Sequence, residues 1–344
     1  MKQILSLLTS LCLCCLSVLP VYARSQTVVT IFDVGQASSA LIESDGYYAL
    51  IDGGNRSDSS MLYSVLNRKG ITRLDLVIAS HSHEDHIGGL AGAMKKAPAT
   101  TVLSPVTDGD SKVFENLKKA AGKLIVPKAG QTYKVGDAKV QIISLNADKD
   151  NDSSIIAKVT DDEVSFLFSG DAEAAGENKA LNSGYSLDSD VYIVGHHGSD
   201  TSTSPEFLKA ISPDISIISC GKNNSYGFPH QLVIDDLKKS GTKLYRTDLQ
   251  GDITCKTDGK TVACTPDKNA AAKVFAAGKT SSKEETKNTE TTSSHYVLNT
   301  RSKKFHRPDC PSVKKMSARN RQDSEQRRDE LIKSGYSPCK NCNP

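Results

Sequence analysis

The sequence predicts an α/β protein: two sheets packed face to face with helices outside, an αββα sandwich, followed by a small metal-held C-terminal domain. Apolar runs of strand length alternate with helical spacing in two successive groups, residues 27–96 and 140–247. The residues best suited to bind metal stand directly after those apolar runs, and the last forty residues carry paired His and Cys clusters with few large apolar side chains.

Residues 1–23 join Met1-Lys2, an apolar stretch over 4–19, a break at Pro20 and Val21-Tyr22-Ala23 ahead of Arg24. That is the pattern of a secretory signal peptide, with an uncleaved anchor as the other reading. No later run approaches the roughly 18 apolar residues of a membrane helix, so an exported, soluble mature protein is expected. Strands follow over 27–34, 38–43 and 47–51, punctuated by Gly35 and Asp45-Gly46, with Asp52-Gly53-Gly54 closing the third. Residues 59–69 have helical spacing and stop at Gly70; strand 74–79 comes next, then a histidine-rich loop and a helix over 87–96. Strands at 140–145, 154–160 and 163–169 lead to a helical stretch over 172–181. The pattern repeats as strand 190–194, helix 205–210, strand 214–219, helix 231–239 and strand 243–247. Ser204 caps the helix at 205 and Pro205 suits its first position, where no amide hydrogen is needed.

Cys220 ends an apolar run and reads as a buried thiol. Cys255 and Cys264 flank a Thr-Asp-Gly-Lys turn, as a hairpin disulfide or as free thiols. Residues 24–267 thus form the main domain. Residues 268–294, mostly Ala, Lys, Glu, Thr and Ser, cannot bury enough surface to offset their ordering entropy; they read as a flexible linker with a short helix at 269–277. Residues 295–344 form the terminal domain. The net charge of +3 hides a division: that domain has 12 Lys and Arg against 5 Asp and Glu, whereas residues 24–294 have 30 against 35. A polyanion would be drawn to the tail.

The run S-H-S-H-E-D-H-I-G-G at 80–89 places His81, His83, Asp85 and His86 within six residues after a strand. In an extended loop His81 and His83 project to one side; Asp85 and His86 follow where the chain turns into a helix and can serve a second ion. Imidazole plus carboxylate is a ligand mix for zinc, iron or manganese. Asp171, the pair His196-His197 and His230 each follow another predicted strand, which points to one shared site at a common rim. In the tail, His306-x3-Cys310 and Cys339-x2-Cys342 are separated by 28 residues and fit a closed tetrahedral zinc site. Disulfides are the competing reading, but they leave one cysteine over and no use for His306.

The set H-S-H-E-D-H, S-G-D at 169–171 and G-H-H-G-S at 195–199 resembles the metallo-β-lactamase fold superfamily. With F-D-V-G-Q at 32–36, I-D-G-G at 51–54 and G-K-N-N-S-Y-G-F-P-H at 221–230, it resembles more narrowly the hydrolase domain of ComEC-type DNA-uptake competence proteins. The likeness spans about residues 27–265. It implies a dinuclear centre of two divalent ions, zinc or manganese: His81 and His83 for the first, Asp85, His86 and one of His196 and His197 for the second, and Asp171 bridging. His230 would stand at the rim as a further ligand or substrate contact, and catalysis would fall to Asp85, Asp171, His197 and His230. The superfamily usually has another histidine before the bridging aspartate; none lies between His86 and His196, which leaves water, Asn151 or Asp152 to complete the first ion. Asp33 and Asp52 read as carboxylates that orient the histidine loop. The tail resembles the zinc-binding domain of the Ada DNA-repair protein, with His306 in place of the first of four cysteines; Lys303, Lys304, Arg307, Lys314, Lys315, Arg319 and Arg321 offer a phosphate surface or a solvated face. The function implied is an exported dinuclear hydrolase, a phosphodiesterase or nuclease acting on DNA. Hydrolysis of another ester or amide (a wall phosphodiester, a lactone, a β-lactam) and a DNA- or wall-binding module with a vestigial site are the alternatives.

Overall fold

The structure, a computed structural model, describes residues 26–146, 150–278, 295–308, 310–326, 328–339 and 342. The signal-peptide reading of 1–23 and the greater part of the linker lie outside the described residues.

Strands β1 (Thr27–Ile31), β2 (Ala40–Ser44) and β3 (Tyr47–Ile51) form an antiparallel meander. Helix α1 (Ser59–Arg68), β4 (Leu74–Ile78), α2 (Glu84–Ile87), α3 (Leu90–Lys96) and β5 (Ala99–Leu103) extend that sheet in parallel, and α4 (Lys112–Ala121) follows. The second sheet opens with an antiparallel run, β6 (Thr132–Val135), β7 (Ala138–Ser144), β8 (Ile156–Asp161) and β9 (Val164–Phe168). It continues in parallel through α5 (Ala174–Leu181), β10 (Val191–Ile193), α6 (Pro205–Ile211), β11 (Ile215–Ile218), α7 (Gln231–Ser240) and β12 (Lys243–Arg246). After α8 (Thr247–Gln250), the hairpin of β13 (Ile253–Thr257) and β14 (Val262–Pro266) returns to the first sheet beside β1. The orders are β14-β13-β1-β2-β3-β4-β5 and β12-β11-β10-β9-β8-β7-β6.

Ile31, Ile42 and Ile78 of the first sheet meet Val140, Phe166 and Ile217 of the second in the central core. The outer faces are closed by Leu66, Leu90 and Phe114 on one side and by Ala180, Phe207 and Leu237 on the other. Strand β9 is buried along its whole length, which is why every residue of it but Ser165 is apolar. The antiparallel β2 sets the ends of β1 and β3 at one edge of the first sheet and the parallel β3–β4 pairing adds that of β4, while parallel pairing sets the ends of β9, β10 and β11 at one edge of the second. The sheets meet at that rim: Ser219 Oγ donates to Ala37 O (2.9 Å) and Gly221 N to Gln36 Oε1 (3.0 Å). The F-D-V-G-Q string therefore stitches the two sheets together.

Several expectations are corrected. Elements β5, α4 and β6 appear in a stretch that had been assigned none. The helix expected over 87–96 is two, broken at Gly88-Gly89, where a Cβ on Gly88 would lie 2.2 Å from Arg56 N and one on Gly89 2.2 Å from Gly53 O. The helix expected at 269–277 does not form. Residues 268–278 run as turns instead, because the buried guanidinium of Arg246, paired with Asp248 at 2.7 Å, donates to the carbonyls of Val274 and Ala276, and Gly278 N donates to Pro229 O (2.9 Å). This part of the expected linker is bonded to the main body. Cys255 and Cys264 form a disulfide across β13 and β14, and Cys220 is a buried free thiol.

Near the C-terminus, β15 (Tyr296–Asn299), β16 (Lys304–His306), β17 (Arg321–Ser324) and β18 (Ser337–Pro338) form a sheet in the order β17-β15-β16-β18, with α9 (Pro311–Lys314) and α10 (Arg328–Lys333). Its two apolar clusters are small: Tyr296, Leu298, Phe305 and Leu331 in one, Val297, Cys310, Val313 and Cys339 in the other. Among the described residues, no helix is long and apolar enough to cross a membrane.

The central core generates a direct test. Phe166→Ala, at a fully buried position between the sheets, is expected to lower unfolding stability by about 3–5 kcal/mol in urea denaturation.

Candidate metal centre

Asp85, His86, Asp171 and His197 come from α2, the loop after β9 and the turn after β10, and their ligand atoms lie within 4.8 Å of one another. His86 Nε2 is 3.0 Å from Asp171 Oδ1, and Asp85 Oδ2 is 3.3 Å from His197 Nε2 and 4.0 Å from His86 Nε2. The other oxygen of Asp171 faces three rings: Nε2 of His196 and of His197, each at 3.7 Å, and Nε2 of His81 at 3.9 Å. His83, which opens α2, packs its ring edge-on against His81 at 4.6 Å between centroids. Three non-glycine residues here hold left-handed backbone, Asp52 (φ 58°), His196 (φ 49°) and His197 (φ 55°), the kind of local strain that packing must enforce. At 196 and 197 it turns both consecutive imidazoles toward Asp171.

Outer partners fix how each ring is protonated. Buried Asp52 accepts from Ser80 N (2.7 Å), from Ser80 Oγ (2.8 Å) and from His86 Nδ1 (2.7 Å). His81 Nδ1 meets Ser80 Oγ at 3.1 Å, and His197 Nδ1 meets the carbonyl of Ser219 at 2.9 Å. A carbonyl or carboxylate only accepts, so Nδ1 of His86 and of His197 carries the hydrogen, and a neutral ring then turns a lone pair at Nε2 toward Asp171 and Asp85. Lone pairs facing carboxylates at these distances require a cation or an extra proton between them. Nε2 of His81 and of His86 is buried and makes no hydrogen bond, so the residues present fit a divalent ion. The electrostatics agree. Burial depresses His86 and His197, but Asp171 and Asp52 lift His86 well above the usual imidazole value, and Asp171 and Asp85 lift His197. Asp171 is held far below the usual carboxylate value, since His86, His197 and His196 outweigh its burial. His81 is pushed well down, chiefly by burial.

His230 stands outside this group: its Nδ1 lies 3.0 Å from Asp200 Oδ1 and its Nε2 3.3 Å from Tyr226 O, while Phe228 packs against both His230 (4.9 Å) and His196 (5.6 Å), which agrees with the expected rim position and leaves the further-ligand alternative without a contact to the cluster. Asp33 is also corrected: its carboxylate faces Lys268 Nζ at 3.4 Å, away from the histidine loop. Asp152 accepts from Glu173 N (2.9 Å) and Gly176 N (2.8 Å), capping α5. Asn151 donates to Glu173 Oε1 (3.2 Å), and the same oxygen stands 3.6 Å from His196 Nδ1, which also meets Thr201 Oγ1 at 2.8 Å. Ser80, Glu173, Thr201 and Ser219 were missed from the sequence. Their adjacency to His81, Asp171, His197 and Cys220 was the available signal.

The model of the family described as the metallo-beta-lactamase superfamily matches residues 32–222, more than half of the chain. The chain belongs to the metallo-beta-lactamase superfamily. ComE operon protein 3 of Bacillus subtilis is 30% identical over 254 residues, covering 67% of this chain and 33% of that protein. Competence protein ComA of Neisseria gonorrhoeae is 30% identical over 235 residues, covering 67% and 32%. Recombination protein 2 of Haemophilus influenzae is 32% identical over 234 residues, covering 65% and 28%. The chain spans about a third of the length of these relatives, and the matched part fits a ComEC-type metallo-beta-lactamase domain. Fold and site together are those of a metal-dependent hydrolase.

A second group lies in the C-terminal sheet, where ligand atoms of His306, Cys310, Cys339 and Cys342 fall within 4.8 Å of one another. His306 Nδ1 is buried without a hydrogen-bond partner, and the three thiols are free, so this donor set also fits a metal ion.

Two outcomes follow for the histidine centre. Asp52→Asn removes the acceptor that orients His86, and metal affinity is expected to fall roughly 10–100-fold in a chelator competition. Protons on the raised His86 and His197 must leave when a cation enters, so affinity should weaken as pH falls through the range where these rings protonate, above the ordinary 6.5. Calorimetry of zinc binding in buffers of different ionisation enthalpy should register that proton release.

Proposed function

We propose that this chain is an exported, two-metal phosphodiesterase that cleaves DNA. The observation that carries the reading is the division of Asp171, one carboxylate oxygen toward His86 and the other toward His81, His196 and His197. In this reading His81, His83 and His196 would hold one divalent ion, with His196 in place of the histidine the superfamily usually supplies, and Asp85, His86 and His197 would hold the other, with Asp171 available to both. Bound divalent ions would lower the pKa of a shared water from 15.7 to about 7, giving hydroxide at neutral pH. Asp171, fixed among these rings, would orient the attacking water toward the phosphorus. Asp52, Ser80 and the Ser219 carbonyl keep the rings from rotating. His230 would contact the phosphate outside the metal centre by exchanging its Nε2 contact with the Tyr226 carbonyl.

Three further points support DNA as substrate. One of the relatives carries the name of a competence protein and another that of a recombination protein. The tail is the basic part of the chain, and Lys314, Lys315, Arg319 and Arg321 are exposed on it. A closed tetrahedral zinc at His306, Cys310, Cys339 and Cys342 would give a domain with so small a core the binding energy it needs to hold that surface.

The test is hydrolysis of DNA and of bis-p-nitrophenyl phosphate by the chain without residues 1–23, with zinc or manganese. Wild type should turn over both, and Asp171→Asn should fall to background while remaining folded by circular dichroism. A wild type that binds DNA yet hydrolyses neither would point to a binding module. Converting both Lys314 and Lys315 to Gln is expected to reduce the slope of log affinity for DNA against log salt by roughly 2, with hydrolysis of the small diester unchanged.

A further inference from the structure

The C-terminal domain touches the main body at two part-buried carboxylates that each also approach a histidine of the rim, Asp200 and Glu173, and at a third, exposed one, where Lys333 Nζ lies 3.8 Å from Glu206 Oε1. Asp200 presents Oδ1 to His230 Nδ1 at 3.0 Å and accepts at Oδ2 from the hydroxyl of Tyr296 at 3.1 Å. Glu173 has Oε1 3.6 Å from His196 Nδ1 and Oε2 3.4 Å from Arg328 Nη1. Two separate chains result: Tyr296–Asp200–His230 at hydrogen-bond distances, and Arg328–Glu173–His196 through longer charge contacts, the His196 Nδ1 itself meeting Thr201 Oγ1 at 2.8 Å. These are not loose surface pairs. Tyr296 is 6% exposed and Arg328 5%, and the Glu173 side chain is 17% exposed, so their contacts are little screened.

Inside the C-terminal domain, the same residues lie back to back with the His and Cys cluster. Tyr296 and Val297 are neighbours on β15 and so point to opposite faces of the sheet. Val297 pairs in register with His306 and packs with Cys310 and Cys339, whereas Tyr296 stacks edge-on with Phe305 (5.3 Å) and the Arg328 guanidinium lies 5.9 Å from that ring. Phe305 and His306 are likewise adjacent and alternate. One face therefore holds the four metal-binding side chains, and the other aims two polar groups at the rim. With only a few apolar side chains in each cluster, the fold of this sheet depends on the ion that the first face would hold.

We propose that the C-terminal domain is a positioning element of the catalytic centre: Tyr296 and Arg328 fix His230 and His196 through Asp200 and Glu173, so that ion occupancy at His306, Cys310, Cys339 and Cys342 controls the hydrolase site. The proposal builds on the ligand role of His196 given above, and it assigns to the tail a part in the hydrolytic centre beyond holding nucleic acid.

Manganese separates the two metal sites, since this hard ion favours imidazole and carboxylate over thiolate. Titration of the full chain with manganese, followed by electron paramagnetic resonance, reads the histidine centre alone. Cobalt absorption from thiolate ligation reports separately whether the C-terminal domain is folded. In the double variant Tyr296→Phe and Arg328→Gln, which keeps shape and removes both polar contacts, manganese affinity is expected to fall roughly tenfold with the cobalt–thiolate band retained. Restoring the cation with Arg328→Lys in place of Gln should recover part of the loss, and Cys339→Ser, which disables the distant cluster, should reproduce it. Manganese affinity equal to wild type in the double variant and in Cys339→Ser would overturn the proposal. Because the readout is ion binding, a chain that hydrolyses no ester but loses manganese affinity in these variants would sustain the positioning role while defeating the phosphodiesterase reading.

Discussion

A buried carboxylate held among four imidazoles is the constraint on which the rest of this protein depends. Asp171 is 3% exposed, and His81, His86, His196 and His197 all reach it within 3.9 Å. Removing a carboxylate from water costs several kcal/mol unless positive charge compensates it. Here His86 and His197 have committed their Nδ1 hydrogens to Asp52 and to the Ser219 carbonyl, so what these two rings turn toward Asp171 is lone pairs. The arrangement is poised for a cation, and a proton shared by His86 or His197 is its substitute.

The architecture serves that requirement. Ligands must arrive from far apart in the chain, and strands that run parallel deliver their ends to one edge of a sheet. The first sheet brings Asp52 and the histidine loop after β3 and β4, and the second brings Asp171 and the His196-His197 turn after β9 and β10. The interior packing of Ile31, Ile78, Phe166 and Ile217 holds the two edges together, so the apolar core sets the spacing of the polar site. Gly88 and Gly89 complete the arrangement by letting the histidine loop lie directly on the backbone of Gly53 and Arg56.

The rim has a further layer in Asp200 and Glu173, which stand between its histidines and the C-terminal sheet. Buried polar chains of this kind are worth more than isolated surface pairs, because each member left alone would be an unpaired buried group. That is the physical ground for joining the small C-terminal sheet to a site outside it.

The sequence by itself determined most of the strands and helices of the two sheets and the chemistry of the residues that follow them. Period and punctuation located the strands that end in ligands, and the residue types in the 80–89 run, at 171 and at 196–197 pointed to a metal centre because few other roles suit that mixture after buried strands. The paired clusters of the tail were legible for the same reason. Local pattern could not separate His196 from His197, since neighbouring identical residues differ only in the backbone twist that aims them; nor could it show that Asp52 rather than Asp33 supports the histidine loop, or that Phe228 stands between His230 and His196. It also misjudged residues 268–278, whose conformation is set by a buried arginine more than twenty residues away. Those outcomes belong to tertiary structure alone, because they depend on which side chains converge across the two sheets and on the directions in which their nitrogens and oxygens point.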